Sequence, residues 1–171
     1  REGMQPIYDF IEKASGKPFF LWYAPFLPHE PHDPPERLVE KYRAEGRPPT
    51  VARYFAMCDW LDETVGQLLG HLDEKRLAGN TVVLFVADNG WIQTEDMRMW
   101  ESCSKVSPYE AGIRTPIMVR WPEKVRPSRD EATLVSSIDL VPTMLAVAGV
   151  EPGSDLPGIN LLERTKLLGR K

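Results

Sequence analysis

Apolar positions along this chain follow two rhythms. From Val51 onward, Tyr54, Phe55, Cys58, Leu61, Val65, Leu68, Leu69 and Leu72 recur at spacings of three and four, the period of a helix with one buried face. Thr50 is placed to cap its start, after Pro48-Pro49, and Ala78-Gly79-Asn80 reads as a C-cap signal closing the region. The same period predicts a short amphipathic helix over 4–15, ending near Gly16. A further helix is expected over 35–44, opened by proline and capped by Asp33. Other segments are apolar without a break. Phe19-Phe20-Leu21-Trp22-Tyr23-Ala24-Pro25-Phe26, the run 81–87 and Ile117-Met118-Val119-Arg120-Trp121 read as strands covered on both faces. A short extended piece is expected at 134–137. Ser137 or Asp139 can then cap a helix through about Ala148 that ends at Gly149, and a last amphipathic piece falls at 161–168.

Helices alternating with doubly apolar strands predict an α/β layered fold with a largely parallel sheet flanked by helices. In such sheets ligands sit beyond the carboxyl ends of the strands. The tails of 19–26 and 81–87, carrying His29 and Asp88-Asn89, are therefore expected to face one crevice.

Length changes this picture little: 171 residues suit one ordinary domain. Apolar content of 42% and charged content of 27% are those of a globular chain. A net charge of -4 gives no electrostatic case for a nucleic-acid partner. No apolar stretch approaches the roughly 20 residues of a membrane span. The chain begins with Arg1 and shows no signal peptide, which reads as a segment rather than a complete product. Cys58 and Cys103 have no metal or redox spacing. Cys58 lies on an apolar helical face, whereas Cys103 lies in a polar loop, as a free thiol or bonded to a segment outside this sequence.

Candidate chemistry begins where the run 82–87 stops at Asp88-Asn89-Gly90. A carboxylate and an amide carbonyl side by side suit a hard cation such as calcium, with magnesium as second choice. Asn-Gly is also a common turn dipeptide, but Trp91 and the polar residues 92–104 do not make a hairpin return. Lys105 stands within the loop leading to the next apolar segment, where a cation could hold an anionic oxygen and offset charge on a leaving group. His29 and His32 flank Glu30-Pro31 in a proline-rich stretch. With only His71 elsewhere, on a helix, a transition-metal site is disfavoured. Acid–base or anion-binding work fits one of the pair better. His71, near a helix end, reads as structural.

Taken in order, these pieces resemble the central and later part of the sulfatase family, the sulfuric ester hydrolases of the alkaline-phosphatase-like superfamily. The resemblance rests on Lys17-Pro18-Phe19-Phe20-Leu21 leading to Pro28-His29, on Asp62-Glu63-Thr64-Val65-Gly66, and on Gly79-Asn80-Thr81-Val82-Val83 leading to Asp88-Asn89-Gly90. It continues through Lys105, Tyr109-Glu110-Ala111-Gly112-Ile113-Arg114-Thr115-Pro116, Arg120-Trp121-Pro122 and Ser137-Ile138-Asp139-Leu140-Val141-Pro142-Thr143. It implies Asp88 and Asn89 as calcium ligands, His29 beside the sulfate and its leaving oxygen, and Lys105 as a sulfate contact. The stretch 110–114 would shape the loop carrying Lys105. His32 has no fixed counterpart and would line the substrate side. Trp91, where the family often has a small residue, would alter the pocket rim.

The family's nucleophile is a formylglycine made from Cys or Ser in a C/S-x-P-x-R motif, and no such motif occurs here. The nearest string, Val125-Arg126-Pro127-Ser128-Arg129, has valine at the nucleophile position and follows the other motifs instead of preceding them. The paired aspartates of the family's first strand and its terminal antiparallel subdomain are also absent. The resemblance thus implies a single partial catalytic domain over 1–171, inactive alone and completed by the missing parts of its own domain. Its parent would act on a sulfate-ester substrate and be exported, periplasmic or lysosomal. A phosphoesterase or phosphonate monoester hydrolase of the same superfamily, a non-catalytic anion-binding homologue and an unrelated α/β domain are the alternatives.

Overall fold

A computed structural model of the chain describes residues 3–14, 16–96, 100–151, 153 and 155–169. The chain forms two compact units, residues 1–77 with 92–101, and residues 78–91 with 102–171.

The first unit is helical: α1 (Gln5–Lys13), α2 (Glu36–Ala44) and α3 (Pro49–Glu74). Its core lies between α2 and α3, where Leu38, Val39 and Ala56 are buried with Tyr42 and Trp60 packed against them. Ion pairs fringe that seam: Arg37 holds Glu63 through both guanidinium nitrogens, and Lys41 reaches Asp59 at 2.7 Å. The long helix forms where its apolar period places it, with Pro49 in its first turn, a position that needs no N–H donor. Two expected caps are corrected. Thr50 lies inside α3 and its hydroxyl donates to the carbonyls of Thr94 and Glu95. Asp33 gives α2 no cap, since Pro35 occupies the N-cap position without a side-chain bond. The helix also stops before Ala78-Gly79-Asn80. Arg76 turns left-handed at φ 58°, its N–H bonds to Asp73, and the Leu77 N–H reaches back to Leu72 at 2.8 Å. This is a Schellman ending with arginine where glycine is usual.

The second unit contains β1 (Val83–Val86), α4 (Glu110–Ile113), β2 (Ile117–Arg120), α5 (Leu140–Val147) and α6 (Arg164–Leu168). The strands pair antiparallel, Val83 opposite Arg120 and Val86 opposite Ile117. The expectation of a largely parallel sheet is thereby corrected: among the described residues the sheet has two strands, and they run antiparallel. An unbroken apolar run reports cover on both faces and says nothing about the direction of its neighbour. Segment 19–26 forms no strand either, although it is extended in character. Phe19, Leu21 and Tyr23 are half-buried while Phe20, Trp22 and Phe26 are exposed. The alternation is that of a strand, but among the described residues no neighbouring backbone completes a ladder.

Residues 134–136 lie in no regular element and Ser136 is extended, as expected, whereas Ser137 already enters a helical turn. A single 3-10 turn, Ser137–Asp139, leads into α5. Asp139 is fully buried, and its carboxylate accepts from the Ser136 N–H and the Ile159 N–H, each at 2.8 Å. Thr143, equally buried, donates to the Asp139 carbonyl and accepts from the Leu161 N–H. The motif 137–143 is therefore a structural clasp that fastens residues 159–161 to the start of α5. Gly149, at φ 71°, ends α5 as its sequence foretells.

Candidate functional site

β1 delivers Asp88, Asn89 and Gly90 at its carboxyl end, the ladder being prolonged by an Ala87 N–H bond to Pro116. The hairpin alternative fails, because the Gly90 N–H bonds across the unit to Gly112 O at 2.8 Å. Contact there is backbone to backbone: a Cβ on Gly90 would stand 2.0 Å from the Ala111 carbonyl oxygen. Gly112 is pressed from its other side as well, since a Cβ on it would meet Ser104 O at 2.3 Å and Ser107 O at 2.4 Å. Ser104 is fully buried at this junction. Three segments, 88–91, 104–107 and 110–113, are thus locked together by glycine contacts, and Lys105 lies within one of them. Val106, beside it, is left-handed at φ 59° and 87% exposed. For a β-branched residue that conformation is strained, a feature that concentrates at functional sites.

Asp88 is exposed and Asn89 half-buried. The Asn89 amide donates from Nδ2 to Gly90 O at 2.9 Å, which turns its carbonyl oxygen Oδ1 the opposite way. The pair therefore presents oxygen donors only, the chemistry of a hard cation. It fits part of such a shell, since calcium takes about six to eight oxygens. Among the described residues no three His, Cys, Asp or Glu side chains gather to hold a metal. The Lys105 ammonium stands 5.2 Å from the centroid of the Trp91 ring, within cation–π range.

The histidines belong to the other unit. His29 is exposed, its ring 4.8 Å from that of Phe26. Its Nδ1 donates to Glu30 O at 2.9 Å, leaving Nε2 as the nitrogen for proton exchange when the ring is neutral. His32 is half-buried against Tyr54, with ring centroids 5.5 Å apart. Burial pulls its pKa below the ordinary histidine value; Glu30 opposes this and His29 adds to it. Burial likewise pushes up the Tyr54 phenol and the Cys58 thiol. His71 stacks on Tyr8 at 4.3 Å. Cys103 is an exposed free thiol.

The structure thus gathers Asp88, Asn89, Trp91 and Lys105 in one unit and His29 and His32 in the other. Sequence reasoning missed the Gly90–Gly112 contact, the left-handed Val106 and the pairing of Trp91 with Lys105. Two glycines in separate motifs were the available signal, since each marks a place where backbones can touch.

Comparison with known proteins follows the same outline. The family model named Sulfatase matches residues 2–150. N-acetylgalactosamine-6-sulfatase of Sus scrofa is 33% identical over 93% of this chain and 31% of its own length. Arylsulfatase A of Homo sapiens is 35% identical over 85% of this chain and 28% of its own. The crystal structure of Ps i-CgsB in complex with k-i-k-neocarrahexaose superposes with a TM-score of 0.82 at 27% identity, covering 95% of this chain and 37% of that one. The chain spans about a third of the length of the curated relatives it matches.

Proposed function

Because this chain belongs to the sulfatase family, we propose that it carries the middle and later part of a catalytic domain that hydrolyses sulfate esters. The observation that supports this reading best is the glycine-locked junction of the oxygen-donor turn 88–90 with the loop of Lys105. One rigid body could then present a cation and a lysine to the same anion. Asp88 and Asn89 would hold a calcium ion, which when bound neutralises charge on the sulfate oxygens. The Lys105 ammonium binds a sulfate oxygen and offsets the charge that develops as the ester bond breaks. His29 gives a proton to the departing alkoxide, and His32 lines the substrate side. The family's formylglycine has no counterpart in residues 1–171, so turnover is assigned to the whole protein and none is expected from this chain alone. Export to a calcium-rich compartment, periplasmic or lysosomal, belongs to the same proposal; among the described residues no helix is long and apolar enough to cross a membrane.

The test is peptide mapping of the natural gene product, followed by aryl sulfate hydrolysis with and without a calcium chelator. An aldehyde-bearing C/S-x-P-x-R peptide, chelator-sensitive turnover and a loss of roughly 10²–10³-fold in kcat for Lys105→Ala are expected. Turnover of phosphate monoesters with none of sulfate esters would move the assignment to a phosphoesterase. A natural product lacking the motif and all turnover would leave an anion-binding homologue.

A further inference from the structure

We propose that Trp91 is a positioning residue for Lys105, and that the indole face holds the lysine ammonium in the pose that receives the anion. The role rests on the sulfate-ester reading above; the pairing itself does not. Three observations carry it. The ammonium lies 5.2 Å from the ring centroid, inside the distance at which an aromatic face attracts a cation. The two residues are held by backbone, not by their side chains alone: Trp91 follows Gly90, Gly90 is pinned to Gly112, and Gly112 is wedged against the Ser104 and Ser107 carbonyls on either side of Lys105. Val106, the next residue, holds left-handed backbone at φ 59°, a strained conformation that persists only where the surrounding structure fixes it.

A lysine side chain loses much rotamer freedom when it is ordered. A ring beneath the ammonium removes part of that freedom before the anion arrives, so less remains to be lost on binding. The ring carries no acceptor atom on its face, and an ammonium has three N–H donors. One side of the cation can rest on the indole while N–H groups on the other side meet a sulfate oxygen. Trp91 therefore supports the anion contact without competing for it.

Two variants test this, Trp91→Leu, which keeps an apolar side chain without the π face, and Trp91→Phe, which keeps a weaker one. The first readout is the ring-current shift of the Lys105 side-chain methylenes by NMR in the natural gene product carrying this chain, with isotope-labelled lysine. An upfield shift is expected in the wild type, reduced in Trp91→Phe and lost in Trp91→Leu. The second is inhibition by inorganic sulfate, with KM and kcat measured separately, in the natural gene product carrying this chain. Trp91→Leu should weaken sulfate binding and raise KM by about two- to fivefold, with Trp91→Phe restoring most of the loss. An unchanged methylene shift in Trp91→Leu overturns the pairing. A lost shift with unaltered sulfate affinity overturns the positioning role. If wild-type protein shows the shift but neither binds sulfate nor turns over sulfate esters, the sulfate-ester reading has failed and the role falls with it, while the measured pairing shows that the failure lay in the function and not in the geometry.

Discussion

A single hydrogen atom in place of a methyl group decides whether the candidate site can close. Gly112 meets backbone carbonyls on both flanks of Lys105, and backbone cannot swing aside as a long side chain can. Gly66, in the middle of α3, has nothing within 4 Å of where its Cβ would stand. The same substitution should therefore act in opposite directions at the two positions. Gly66→Ala is expected to raise stability by about 0.5–1 kcal/mol, through helix propensity and a less flexible unfolded chain. Gly112→Ala is expected to lower it by more than about 2 kcal/mol, as an overpacked site must shift. Urea unfolding of both variants checks the pair, and equal effects would mean that the glycine junction is looser than described. Gly79 differs from Gly112: its carbonyl accepts the Trp121 indole N–H at 3.0 Å, but a Cβ there would meet only the Glu123 side chain, which can swing aside.

Among the elements, the proline-rich loop 28–33 couples folding to pH. Burial lowers the pKa of His32 below 6.5, so the unfolded chain takes up that proton at a higher pH than the folded one. Stability from this group is complete above about pH 6.5. It falls as pH drops below that value toward the folded pKa, where the unfolded state binds more protons. His32→Gln should flatten the dependence of the urea midpoint on pH between about 7 and 5; an unchanged slope would assign it to other groups. This loop also marks how far the sequence could be read. Its prolines excluded a helix, and α1, α2, α3 and α5 lie where the apolar period and the Gly149 stop place them. The pairing of segments was not legible, because a run such as 19–26 records its own conformation but not its neighbour. The site divides the same way. Oxygen donors and a lysine could be named from residue type. The contact of Lys105 with Trp91 depends on a glycine junction between segments far apart in sequence, which no local pattern encodes.

At the scale of the molecule, many large apolar side chains stay exposed. Phe20 is 67%, Trp22 81% and Phe26 68% exposed, all on one side of an extended segment. A row of aromatics on unpaired backbone invites association. The 171-residue chain is expected to self-associate at micromolar concentrations in sedimentation velocity and to bind ANS, both effects weakening in the double variant Trp22→Ser, Phe26→Ser. A clean monomer with cooperative unfolding would show that this face is tolerated in water. The two units are also interleaved along the chain: residues 92–101 return to the first after 78–91 have been given to the second. No single cut can separate them, and synthesis feels the same constraint. When residue 77 has left the ribosome, all three helices of the first unit exist as sequence, yet the carbonyls of Thr94 and Glu95 that Thr50 addresses have not been made. The first unit must therefore wait, incomplete, while the strand bearing Asp88 and Asn89 is translated, so the oxygen-donor turn emerges before the helical unit can finish folding.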